Sequence, residues 1–275
     1  MRLAISNIAW EPVEDEAIAR LLERYAVDAI DIAPGKYFPE PAQATDRHIA
    51  EVKGWWADKG IEITGMQSLL FGTTGLNIFA SDDVQKAMLE HLRAVCRIAG
   101  GLGSVRLVFG SPKNRDRTGL SDQQALDIAV PFFRQLGDIA QINEVMICLE
   151  PNPASYGANF MTTSADTLAV VQAVSHPSIR MQLDTGALTL NQEDPAEVIL
   201  RSASSIGHVH ASEPNLMPLG DGDCRHAEIA SLLSRHLPGH LVSIEMVATQ
   251  SEPHAVSIER ALRAAIAAYR SEVHG

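Results

Sequence analysis

Short runs that are apolar through their middles alternate with amphipathic stretches from one end of the chain to the other. The runs are Arg2–Ser6, Ala29–Ala33, Glu62–Gln67, Ser104–Phe109, Val145–Glu150, Ile179–Asp184, Gly207–Ala211 and Leu241–Met246. Continuous apolar character over a few residues is the mark of a parallel strand covered on both faces. Between them the spacing predicts helices near 14–25, 45–59, 82–100, 121–142, 163–175, 194–203, 225–236 and 254–270. In the third, Val84, Met88, Leu89, Leu92, Val95, Cys96 and Ala99 recur three or four apart and form one apolar face. Ser81-Asp82 signals its start and Gly100-Gly101 its end. Ser121 with Gln124 reads as a capping box, and Asp194-Pro195 puts proline at the first helical position.

Eight strand–helix units in succession, with no Pro/Gly/Ser linker and no Gly-x-Gly-x-x-Gly after the first strand, favour a closed (β/α)8 barrel over an open doubly wound sheet. The length of 275 residues suits one such domain spanning 1–275, and 46% hydrophobic residues excludes disorder. A formal net charge of −12 repels phosphate backbones, and the densest basic patch is only Lys113-Asn114-Arg115-Asp116-Arg117, so nucleic acid is not expected as a partner. No run approaches the roughly 20 apolar residues that cross a bilayer, so no membrane is expected either. The start, MRLAISNIAWEPVEDE, turns acidic after a short apolar stretch and reads as a first strand in a cytoplasmic protein, not a secretory signal. Cys96, Cys148 and Cys224 are odd in number and far apart, which fits reduced thiols.

In a barrel of this kind chemistry sits at the C-terminal ends of the strands. Those ends carry Asn7, Asp31 or Pro34, Gln67, Gly110-Ser111, Glu150, Asp184, His210 and Glu245. The last four place three carboxylates and an imidazole on consecutive strands, each where an apolar run stops. Three ionised carboxylates at one mouth repel and raise one another's pKa, a conflict that a divalent cation removes. Oxygen-rich ligation with one imidazole suits Mn²⁺, Mg²⁺ or Co²⁺ better than a thiolate zinc site, with Zn²⁺ still open.

These residues resemble the xylose-isomerase-like TIM-barrel superfamily of sugar isomerases and epimerases, which also holds inosose and 3-dehydroshikimate dehydratases and endonuclease-type members. The likeness is carried by Leu149-Glu150-Pro151-Asn152, Leu183-Asp184-Thr185, Gly207-His208-Val209-His210-Ala211-Ser212-Glu213 and Ser243-Ile244-Glu245, and by Pro218, Gly220 and Gly222 in the loop that follows. It implies one divalent metal, Mn²⁺ by preference, held by Glu150, Asp184, His210 and Glu245. It also implies that Glu150 and Glu245 exchange protons with the substrate, and that the chain forms a homodimer or homotetramer. The chain departs from the ketose epimerases at Ala187, Leu216 and Tyr156, where those proteins usually carry histidine, arginine and glutamate.

The chemistry is consistent with that carry-over. A metal chelated by a carbonyl and a neighbouring hydroxyl stabilises an enediolate and lowers the barrier to removing the adjacent proton. Two carboxylates on opposite sides of a sugar can then remove and return it. The expected activity is therefore isomerisation or epimerisation of a sugar, sugar phosphate or polyol. The alternatives are a lyase of the inosose or 3-dehydroshikimate dehydratase type, a phosphodiester-cleaving endonuclease, and a noncatalytic sugar-binding protein.

Around this quartet, Asn7, Gln67, Asn152 and Glu213 are candidates to hydrogen-bond sugar hydroxyls. Lys113 and Arg115 are candidates to hold a substrate phosphate or carboxylate, against the ordinary reading of a solvated loop. Trp10, Tyr37, Phe38 and Phe71 either wall the cleft or pack, Trp55-Trp56 reads as core or a subunit contact, and Cys148 as packing. His208 reads as a packed or hydrogen-bonded histidine one pleat below His210. His226 is the one further histidine placed to matter.

Overall fold

The computed structural model describes residues 1–270. Eight parallel strands close into a barrel in sequence order: β1 (Leu3–Ser6), β2 (Ala29–Ile32), β3 (Glu62–Met66), β4 (Arg106–Phe109), β5 (Met146–Leu149), β6 (Ile179–Asp184), β7 (Ile206–Ser212) and β8 (Val242–Glu245). Closure comes from β1 pairing with β8, Leu3 opposite Val242 and Ile5 opposite Ile244. Every predicted strand exists: β6 has the predicted bounds, β7 extends one residue further at each end, and the others are one or two residues shorter than their apolar runs. The expected (β/α)8 barrel is the observed one.

Helices cover the outside: α1 (Asp15–Arg24), α2 (Asp46–Ala57), α3 (Asp82–Leu102), α4 (Asp122–Ile142), α5 (Ser164–Val174), α6 (Thr185–Leu190), α7 (Pro195–Ser202), α8 (His226–His236) and α9 (His254–Tyr269). The stripe on α3 buries Met88, Leu89, Leu92, Val95, Cys96 and Ala99 as its spacing requires. This helix runs through Gly100-Gly101 and stops at Gly103 (φ +82°), because the left-handed turn that ends it needs a residue without a side chain. The Ser121–Gln124 capping box forms as predicted. The six-residue α6 was not foreseen; Asp184 caps its start, Oδ1 accepting from Ala187 N at 2.6 Å. No helix among the described residues is long and apolar enough to cross a membrane.

The barrel mouth inherits its residues from the ends of the strands. Ser212 at the end of β7 lies opposite Glu245 of β8, and Asp184 of β6 lies opposite His210 of β7. In register the acids are staggered by two residues from strand to strand, and closure of the barrel is what brings them to one mouth.

Candidate metal and proton-transfer site

Glu150, Asp184, His210 and Glu245 converge, each offering a ligand atom within 4.8 Å of the others. His210 Nδ1 lies 3.2 Å from Glu245 Oε2 and 3.7 Å from Glu150 Oε1. All are buried or nearly so, with the Glu150 side chain 14% exposed and His210 fully enclosed. Asp184 is further held by Ser212 Oγ, which donates to Oδ2 at 2.6 Å. Gln67 Nε2 donates to Glu245 Oε1 at 2.6 Å, and Asn152 Nδ2 donates to Glu150 Oε2 at 3.1 Å. Gly110 lines this contact: a Cβ there would lie 2.0 Å from Glu150 Oε2, so only glycine leaves the carboxylate its place.

Electrostatics mark the crowding. Burial, then the charges of Glu245 and Glu150, push the Asp184 carboxyl up to about 7. Burial opposes charge on His210, yet Glu245 and Glu150 raise its pKa well above the usual imidazole value. Burial also raises Glu245, but the facing His210 outweighs it and holds that carboxyl below its ordinary range. The protein thus balances three carboxylates with protons. A divalent cation fits the same donors and does that job directly; Glu150 Oε1 is a buried polar atom with no hydrogen-bond partner.

Beneath the quartet, His208 Nε2 lies 2.7 Å from Asp31 Oδ2, the hydrogen-bonded histidine that the sequence suggested. Burial raises the Asp31 carboxyl but His208 and His210 outweigh it and keep it ionised, while burial lowers His208, leaving a neutral ring that donates Nε2–H. Gln182, also buried, accepts from His210 N and Nδ1 (both 3.2 Å) and donates to His208 O (3.3 Å).

A cavity of about 740 Å³ opens over Glu150 and Glu245. Gln67 and Lys113 line it, as do Lys36, Glu11, Leu69, Leu70, Phe71, Leu216 and Val247. Of the aromatic candidates only Phe71, 82% exposed, walls this cavity. Trp10 packs inside and donates Nε1–H to Asp15 at 2.7 Å, Tyr37 bonds the same carboxylate, and Phe38 is core. Trp56 is buried in the core and Trp55 half exposed beside it.

The structure places several of the expected sugar or anion ligands in contact with protein groups. Arg115 is fully buried and faces away from the cavity; Nη1 donates to Glu150 O (2.7 Å) and Nη2 to Gly110 O (3.4 Å). Burial, partly countered by Glu150, lowers its pKa to about 10. Glu213 is enclosed too, accepting from Gly220 N (3.0 Å), Cys224 N (3.2 Å) and His226 Nε2 (3.1 Å). Burial raises its pKa, but these bonds win and lower it to about 2. His226 also meets Tyr269 OH at 2.8 Å, so this histidine ties the β7 loop to α9. Asn7 is buried with Oδ1 accepting from Ala33 N (2.7 Å), bracing neighbouring strands. Asn152 touches Glu150 and not the open space. Burial pushes the Cys148 thiol up to about 12, in line with packing.

The sequence reading missed Lys36 and Leu216 on the cavity wall. Lys36 follows β2 in a short turn and Leu216 sits at φ +54° in the β7 loop, so neither has a periodic pattern that fixes its direction. Ala187 N donates to the capping carboxylate of Asp184, and Tyr156 OH accepts from Asn215 N at 2.7 Å.

Residues 19–271 match the family model described as xylose isomerase-like TIM barrel. A D-psicose 3-epimerase of Enterocloster bolteae is 23% identical over 203 residues, 69% of this chain and 63% of that protein, so the match spans less than two thirds of the relative's length. The crystal structure of a D-psicose 3-epimerase from Clostridium cellulolyticum H10, with D-tagatose, superposes with a TM-score of 0.82 at 19% identity, covering 98% of this chain and 99% of that one. The IolI protein with a zinc atom superposes with a TM-score of 0.75 at 15% identity, covering 98% of each chain. At these identities the likeness to solved structures shows a shared fold.

Proposed function

Because this chain belongs to the xylose isomerase-like TIM-barrel family, we propose that it is a divalent-metal-dependent sugar isomerase or epimerase that moves a proton on a carbon next to a carbonyl. The observation that carries this reading is the convergence of Glu150, Asp184, His210 and Glu245 at the floor of an open cavity, with Asp184 pushed up to about 7 by its neighbours. Glu150, Asp184, Glu245 and His210, through Nδ1, would hold the ion, Mn²⁺ by preference. When bound, such an ion supplies a Lewis acid that polarises a carbonyl and favours loss of the adjacent proton.

The remaining work belongs to this chain. Glu150 and Glu245 both line the cavity beside His210, and in this reading they accept and return the proton. Gln67 holds Glu245 through Oε1, leaving Oε2 toward His210; Asn152 holds Glu150 through Oε2, leaving Oε1 free of any protein donor. Each acid is thus oriented from one oxygen, as positioned general bases require. Leu69, Leu70, Phe71, Leu216 and Val247 give the wall an apolar surface against which the carbon face of a sugar can lie. Lys113 stands on that wall with no ion-pair partner among the described residues and is open to a substrate phosphate or carboxylate. The curated relative's name, a ketose 3-epimerase, supports the same class of chemistry.

The test is a panel of ketoses, ketose phosphates and keto-polyols incubated with the Mn²⁺-loaded protein in deuterium oxide and read by NMR. The reading expects deuterium at one carbon with retained hydroxyls. Loss of water with new ultraviolet absorbance places the protein among lyases instead. No exchange with any member overturns both.

A further inference from the structure

We propose that Asp31, buttressed by His208, is a positioning residue that fixes the His210 ring with Nδ1 toward the metal; this rests on the metal reading above. Asp31 stands on β2 and is 1% exposed, yet its carboxylate reaches inward to side chains of β7. Room for it is built in: a Cβ at Gly65, its register partner on β3, would lie 2.4 Å from Asp31 Oδ1. Thr64 Oγ1 donates to Oδ1 at 3.0 Å and His208 Nε2 to Oδ2 at 2.7 Å, so the carboxylate is locked from two sides.

The two edges of the His210 ring face different company. Nδ1 looks at Glu245, Glu150 and the Gln182 amide. Nε2 has no hydrogen-bond partner, and the acid that faces it is Asp31, Oδ2 lying 3.8 Å away. At that separation the contact is electrostatic; the acids and the Gln182 amide oxygen beside Nδ1 favour a proton there, and where a cation takes that place the Asp31 charge favours hydrogen on Nε2 and the lone pair on Nδ1. His208 and His210 meet edge to face, centroids 5.1 Å apart, which stops the upper ring from turning about its axis. A ligating histidine backed by a carboxylate is a common device for orienting the ring and raising its basicity, and its loss typically weakens metal binding about 10–100-fold.

Asp31, His208 and His210 are also close enough to hold an ion themselves. The hydrogen bond already closed between Asp31 and His208 argues for a support in place of a second centre.

The test compares wild type with Asp31→Asn and Thr64→Val by chelator competition for Mn²⁺ and by the visible spectrum of the Co²⁺-loaded protein. Mn²⁺ affinity should fall about 10–100-fold in Asp31→Asn, with an altered Co²⁺ band, and by a smaller factor in Thr64→Val. Unchanged affinity and spectrum in folded Asp31→Asn overturn the proposal. Should that variant not fold, ¹⁵N-histidine NMR of zinc-loaded wild type decides. A proton on Nε2 and a metal shift on Nδ1 of His210 support the proposal, and the reverse assignment overturns it. Two ions per wild-type chain overturn it by making Asp31 a ligand. No ion at all overturns the metal reading along with it.

Discussion

Loading the ion should expel protons, and the number follows from the charges around the quartet. The Asp184 carboxyl is pushed to about 7 by burial, Glu245 and Glu150, so roughly three quarters of it is protonated at pH 6.5 and about a tenth at pH 8. His210 is raised well above the usual imidazole value by the same acids and is protonated at pH 6.5. Both groups must give up their protons to bind a cation. Mn²⁺ titrated calorimetrically into chelator-stripped protein, in buffers of different ionisation enthalpy, should therefore release more than one proton per ion at pH 6.5. The number falls as Asp184 ionises by pH 8. Affinity weakens as pH drops, because protons compete for the same atoms. Release of fewer than half a proton at pH 6.5, or no change between the two pH values, would refute the electrostatic account of the site.

The same groups set a stability trend in the stripped protein. Asp184 and His210 have raised folded-state pKa values, so their contribution is present below the unfolded values and lost as pH climbs through the folded ones. Calorimetry should show the stripped protein's Tm falling between pH 5 and 8, and the Mn²⁺-loaded protein's Tm falling less; parallel curves contradict this. Mn²⁺ at about 100 times its Kd should add about 2.7 kcal/mol, a Tm rise of roughly 5–10 °C for a domain of this size. Gly110→Ala forces the Glu150 carboxylate aside and should cost about 100-fold in substrate deuterium exchange with circular dichroism unchanged; wild-type exchange speaks against the placement of Glu150. Arg115→Met removes buried donors from Glu150 O and Gly110 O and should cost about 1–3 kcal/mol in urea unfolding, whereas a change under about 0.5 kcal/mol removes its structural role.

The barrel and its acid quartet were legible because both depend on local pattern. An acid that ends an apolar run is visible as such, and closing eight parallel strands into a barrel brings their ends to one mouth. The direction of a loop side chain follows no period. Lys113 and Arg115 are two residues apart in one 3-10 turn, yet one meets the cavity and the other is enclosed under β5. Glu213 looked like a sugar ligand because nothing in the sequence shows Gly220, Cys224 and His226 folding back onto its carboxylate. Asp31 was readable as a strand end, but its link to β7 spans 177 positions and exists only once the barrel has closed. The short helix α6 hides for a similar reason, since its cap is the same Asp184 that the site uses.

Anomalous diffraction from crystals grown with Mn²⁺, with data collected at the manganese edge, tests the central claim most directly. The account predicts a single strong peak per chain bonded to oxygens of Glu150, Asp184 and Glu245 and to Nδ1 of His210. A peak that engages none of these side chains, or none at saturating Mn²⁺, would contradict it.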